Sequence, residues 1–120
     1  MFGRMLAHAR AEFPRECVGM LLGLGERVTR VVELQNVSNE AELSYEVDPI
    51  ELLRALRKAD EENLEVLAVY HSHPGGSLSP SATDVEKATW RAIYVIIAPE
   101  AGEARAYRLP EGEEVVLVVE

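Results

Sequence analysis

Cysteine is nearly absent from this sequence: Cys17 is the only one in 120 residues. No internal disulfide can form, and the chain suits a reducing compartment. Aromatic residues are scarce at 6%, so aliphatic side chains must supply most of a core. No apolar run approaches the roughly 20 residues of a membrane span, and the first residues lack the apolar stretch of a secretory signal. These absences favour a soluble, cytoplasmic protein with no membrane partner. Positive charge is also short: 12 Lys and Arg stand against 21 Asp and Glu, a net charge of −9. Such a chain repels phosphate backbones, which argues against nucleic acid and favours a basic or neutral protein surface as partner. The acidic residues gather at Glu40–Glu46, Asp60–Glu65 and Glu111–Glu114, where solvated turns and helix ends account for them.

Hydrophobic residues make up 48% of the chain, enough for one domain over residues 1–120. Phe2, Met5, Leu6, Ala9 and Phe13 recur at helical spacing, predicting a first helix to about Pro14 with His8 facing solvent. Val18 to Leu24 is almost wholly apolar and reads as a buried strand. Gly25-Glu26 turns the chain into a second strand from Arg27 to about Val37, and Leu43 to Val47 could form a short third. Asp48-Pro49 marks a helix start, with an apolar stripe of Ile50, Leu52, Leu53, Leu56 and Ala59. Leu64 to His73 reads as a central strand, followed by a Pro-, Gly- and Ser-rich loop to Pro80. Ser81 opens a short helix to about Trp90, and strands at Ile93–Ala98, Arg105–Leu109 and Val115–Val119 close the chain. This order implies one α/β domain with a mixed β-sheet flanked by helices.

The chemistry concentrates in His71-Ser72-His73-Pro74 and in Ser81 to Asp84. His71 and His73 are two apart at a strand end, so their side chains leave one face. Their Cα atoms then lie roughly 6.5–7 Å apart, near enough for both imidazoles to meet one ion. Pro74, Gly75 and Gly76 break the strand, the chain turns back, and Asp84 can add a third ligand from the first turn of the next helix. Two imidazoles and one carboxylate suit zinc and leave a fourth position for water, as catalytic sites do. Glu16, at the mouth of the first buried strand, is the best candidate to take the proton from that water. Spacing alone does not place it beside the histidines. Ser81 could donate a hydrogen bond to a developing oxyanion, although Ser81 and Asp84 also fit the bland reading of a capping box. Cys17 reads as a small buried residue, not a nucleophile.

The string H-S-H-P, seven residues from Pro74 to Pro80, then Ser81, two residues and Asp84 resembles the JAMM (MPN-plus) metalloprotease motif. Glu16, in its P-x-E-C-x-G setting, is similar to that family's catalytic glutamate. The resemblance covers nearly the whole chain and implies a JAMM/MPN-like domain of the cytidine-deaminase-like kind. It implies one Zn2+ per chain on His71, His73 and Asp84, with Glu16 as general base and Ser81 supporting the tetrahedral intermediate. The chain is shorter than the family's eukaryotic deubiquitinases, and no counterpart of their substrate-clamping insertion follows the metal-bearing helix. The implied partner is a ubiquitin-like or sulfur-carrier protein ending in Gly-Gly, cleaved from a lysine conjugate or from a carrier-bound cysteine. The implied docking edge for that tail is the segment Asn36 to Val47. A homodimer stays open.

Two other functions compete. Two His and one carboxylate also form the facial triad of a non-haem iron oxygenase, but Glu16 would then be idle. A non-catalytic scaffold would be expected to have lost ligands, and all are present here.

Overall fold

The computed structural model describes residues 1–88 and 92–116. The chain runs α1 (Phe2–Glu12), β1 (Val18–Leu24), β2 (Arg27–Leu34), α2 (Pro49–Glu61), β3 (Glu65–Ser72), α3 (Ala82–Lys87), β4 (Ala92–Ala98), β5 (Glu103–Leu109) and β6 (Glu113–Val115). Among the described residues the strands form one six-stranded sheet in the order β2-β1-β3-β4-β5-β6. Only β3 and β4 pair in parallel; the other neighbours are antiparallel. A parallel pair needs a crossover. The loop after β3 and α3 provide it, and so carry the chain back past the end of β3.

Each face of the sheet has its own core because side chains alternate along a strand. On one face Met5 and Ala9 of α1 pack with Leu21, Ala68, Tyr70, Val95 and Ile97. On the other, Leu52, Leu56 and Ala59 of α2 cover Val18, Met20 and Leu22. Beyond them Ala88 caps Tyr94, Ile96 and Leu109. Gly19 is required by Tyr70: a Cβ at that position would stand 2.3 Å from the ring. Asp48 caps α2 by accepting from Ile50 N, with Pro49 in the first turn, as read from the sequence.

Several expectations are corrected. Residues 43–47 form no strand; they lie in a turn and an extended stretch, because a buried asparagine takes up their backbone groups, as described below. The second strand stops at Leu34, where the chain turns toward that asparagine. Ile50 and Leu53 are 62% and 55% exposed; the buried stripe of α2 is instead Leu52, Ala55, Leu56 and Ala59. His8 is buried and shares a 2.7 Å hydrogen bond with the Tyr70 hydroxyl. Its place on α1, one turn after Met5, turns it inward. The third helix ends at Lys87, and Trp90 lies outside the described residues. The last strand begins at Glu113 and is described to Val115; residues 117–119 of the expected strand lie outside them. No helix among the described residues is long and apolar enough to cross a membrane.

Candidate metal centre

Strand register assembles the site. Val18 pairs with His71 across β1 and β3. The pairing continues one step further, because Cys17 N donates to Ser72 Oγ and Ser72 N donates to Cys17 O. The next residues outward, Glu16 and His73, therefore leave the sheet at the same end. His73 is held there by its own N–H, which donates to Ile97 O at 2.9 Å. Sequence spacing could not bring Glu16 to the histidines; antiparallel register does.

Asp84 arrives through the capping box of α3. Ser81 Oγ accepts from Asp84 N at 3.0 Å, and Asp84 Oδ2 accepts from Ser81 N at 2.8 Å. The capping-box reading of S-x-x-D holds. The cap aims the carboxylate at the histidines: Oδ2 lies 2.9 Å from His73 Nε2 and Oδ1 lies 3.2 Å from His71 Nε2. The two Nε2 atoms are 3.2 Å apart. A tetrahedron with ligand bonds of about 2.0–2.1 Å has edges of roughly 3.3 Å, so the three donors are spaced to share one ion.

Protonation makes the same point. His73 Nδ1–H donates to Ser77 O at 3.0 Å, since a carbonyl can only accept. This leaves the Nε2 lone pair facing a carboxylate oxygen. Two lone pairs at that distance repel unless a proton or a cation lies between them. Although burial opposes it, the Asp84 hydrogen bond and charge raise the pKa of His73. His71 is lowered, chiefly by complete burial. Burial would raise Asp84, but hydrogen bonds from the two histidines outweigh it and hold the carboxyl far below its usual range.

Glu16 is only 5% exposed, and its Oε1 has no hydrogen-bond partner. Burial pushes its pKa up to about 7, with His73 opposing and Asp84 assisting. An unpartnered carboxyl oxygen titrating near neutrality is what a general base requires. Glu16, His73 and Ser81 line a cleft of about 300 Å³ between the tip at Glu42-Leu43 and the loop from Pro74 to Pro80. Ser81 Oγ accepts from Asp84 N, so its hydroxyl proton is free to donate into this cleft. A cavity of about 420 Å³ on the α1 face is lined by Met5, Val95 and Val115, remote from these groups.

The sequence reading missed three supports. The Tyr45 ring lies 4.8 Å from that of His71, tilted 32°. Lys87 Nζ donates to Tyr45 O at 3.1 Å, tying α3 to this segment. Asn36, 1% exposed, organises residues 38–46; Asn36-Val37-Ser38 is an Asx-turn signal that could have been read. Part of the backbone of this segment is already paired within the chain. Ala41 O, Ser44 O, Tyr45 O, Glu46 N and Glu46 O all have partners within the chain.

An α/β domain that gathers two imidazoles and a carboxylate beside a buried, protonatable glutamate in an open cleft defines a metal-dependent hydrolase. The chain belongs to the prokaryotic homologs of the JAB domain, whose family description matches residues 1–110, and it is a protease of the JAMM type. It is 46% identical over 113 residues to a Thermus thermophilus protein described as a probable TtuB-protein conjugate cleaving protease, covering 94% of this chain and 74% of that one. It is 35% identical over 125 residues to the CysO-cysteine peptidase of Mycobacterium tuberculosis, covering 97% and 85%. A solution structure of a Desulfitobacterium hafniense protein superposes with a TM-score of 0.83 at 29% identity, covering 98% and 87%.

Proposed function

We propose that this protein uses a zinc ion to hydrolyse the amide or isopeptide bond after the C-terminal Gly-Gly of a ubiquitin-like or sulfur-carrier protein. The observation that carries this is the convergence of His71, His73 and Asp84 within about 3.2 Å of one another, with the free Glu16 oxygen in the same cleft. His71, His73 and Asp84 would hold the ion, which when bound acidifies water and polarises a carbonyl. Glu16 accepts the proton of the attacking water at its carboxylate and returns it to the leaving amine. Ser81 donates its hydroxyl to the oxygen that becomes negative as the carbonyl turns tetrahedral.

The cleft supports an extended tail with small residues next to the bond. The loop from Pro74 to Pro80 must pass close to the metal ligands to reach Asp84, so a side chain there meets the loop. Leu43, 77% exposed, stands on the opposite rim as an apolar contact for the carrier body. The two relatives are named for different substrates, a TtuB-protein conjugate and CysO-cysteine. An amide at the end of a carrier tail is the substrate class proposed here.

The test incubates the protein with its own organism's carriers, conjugated to lysine or extended by cysteine, and locates the cut by mass spectrometry. Cleavage directly after Gly-Gly, lost when the last glycine is made bulky, is the expected result. Equal cleavage of bulky tails points to a general peptidase. Metal analysis of protein purified without added metal should find zinc; iron would favour the oxygenase reading.

A further inference from the structure

Glu16 lies just before β1, in a connection whose loop neighbours could let it swing. Its backbone is nevertheless gripped from both sides. Glu16 N donates to Ala41 O at 2.6 Å, and Glu16 O accepts from Asn36 Nδ2 at 2.9 Å. The same Nδ2 reaches Ser44 O at 3.0 Å and Ala41 O at 3.4 Å. On its other side Asn36 Oδ1 accepts from Ser38 N at 3.0 Å and Glu46 N at 3.1 Å. Arg15, the neighbour of Glu16, donates to Asn36 O at 2.6 Å.

One buried amide therefore joins the peptide that carries Glu16 to both limbs of the 36–46 loop. Asn suits this role because it is the shortest side chain carrying both a double acceptor and a double donor. An apolar replacement would leave buried carbonyls and N–H groups without partners. Asn36 makes no hydrogen bond to His71, His73 or Asp84; it bonds directly to the Glu16 peptide and, through Ser44 O and Glu46 N, to the backbone on either side of Tyr45.

We infer that Asn36 is the positioning residue of Glu16: its side-chain amide holds the peptide that aims the general base. This rests on the proposed role of Glu16 as base. The orienting contribution can be large, since misplacing a reacting group by about 1 Å can cost on the order of 10²-fold.

A double-mutant cycle tests it, measuring turnover of a carrier conjugate together with metal per chain. Asn36→Ala should lower kcat by roughly 10–100-fold in the presence of Glu16. In the Glu16→Gln background the same change should cost less than about two-fold, because the group being aimed is gone. Metal content should stay at one per chain in all variants, since the capping box at Asp84 and the bond from His73 N to Ile97 O do not involve Asn36. Should Asn36→Ala fail to fold, Asn36→Asp runs the same cycle: it retains both acceptor bonds and replaces the donor to Glu16 O, Ser44 O and Ala41 O by an oxygen. Equal losses in both backgrounds, or loss of metal with turnover, would assign Asn36 a general structural role and overturn the inference. Normal turnover of Glu16→Gln alone would instead remove the base assignment, and the positioning role with it.

Discussion

Glu16→Gln should make the metal-free protein more stable above neutral pH while making the enzyme nearly inactive. The carboxyl is buried, and burial is the main reason its pKa rises from 4.5 to about 7. A folded pKa above the unfolded one means that the native state holds its proton more tightly. Stability is therefore fully present below about pH 4.5 and falls as pH rises toward 7. A displacement of about 2.5 pKa units at 1.36 kcal/mol each amounts to about 3 kcal/mol. Glutamine keeps the shape and cannot ionise, so the variant escapes this loss. Urea unfolding of chelator-treated protein should show coincident midpoints near pH 4.5. At pH 8 the variant's midpoint should be higher by roughly 1–3 M, given m values of about 1–3 kcal/mol/M. The histidines are present in both proteins, and because the Glu16 charge also raises His73 the difference reports Glu16 together with that coupling. With metal restored, turnover should fall by about 10²–10⁴-fold, the usual contribution of a positioned base. Parallel stability curves across pH 5–8 would refute the buried-carboxyl reasoning, and activity within a few-fold of wild type would refute the base.

Replacing either imidazole, as His71→Ala or His73→Ala, should abolish stoichiometric metal binding; full occupancy in both, by elemental analysis, would dismiss these ligands. Metal uptake near pH 6.5 should release protons, because the raised pKa of His73 keeps a proton in the cluster; affinity should weaken as pH falls, which calorimetry in buffers of different ionisation enthalpy can follow. Ser81→Ala should cost about 1 kcal/mol through the lost cap and roughly 10²–10³-fold in kcat through the lost oxyanion donor; a loss of stability without loss of kcat would leave Ser81 only the cap. Gly19→Ala should destabilise by about 1–3 kcal/mol, since its Cβ would meet the Tyr70 ring at 2.3 Å in a packed core; an unchanged thermal midpoint would show that Tyr70 and His8 can move aside.

The helices and most strands were legible because periodicity and caps are local. Val18–Leu24 reads as a buried strand from composition alone and is buried as far as Gly23, and Asp48-Pro49 announces α2 by chemistry that lies within three residues. Failures came where a distant partner overrides local pattern. The alternating 43–47 stretch has the pattern of a strand, yet Asn36 offers its backbone a set of side-chain partners in place of a neighbouring strand. His8 reads as exposed by its polarity, yet Tyr70, 62 residues away, supplies the hydrogen bond that permits burial.

The same division runs through the site. A His-His-Asp cluster able to hold a metal demands particular side-chain types at particular spacings, so His71, His73 and Asp84 leave a pattern in the chain. Glu16 reaches them only through the pairing of β1 with β3, and its carboxyl is identified by type while its place is set by register. The supports are harder still to read. Asn36 bonds to the main chain at Glu16, Ala41 and Ser44, and Lys87 to the main chain at Tyr45. Any residue type presents a carbonyl, so the accepting positions carry no mark in the sequence. The groups proposed to perform the chemistry are written as side chains. The groups that hold them in place are written as one side chain and an unmarked backbone, which only the fold brings together.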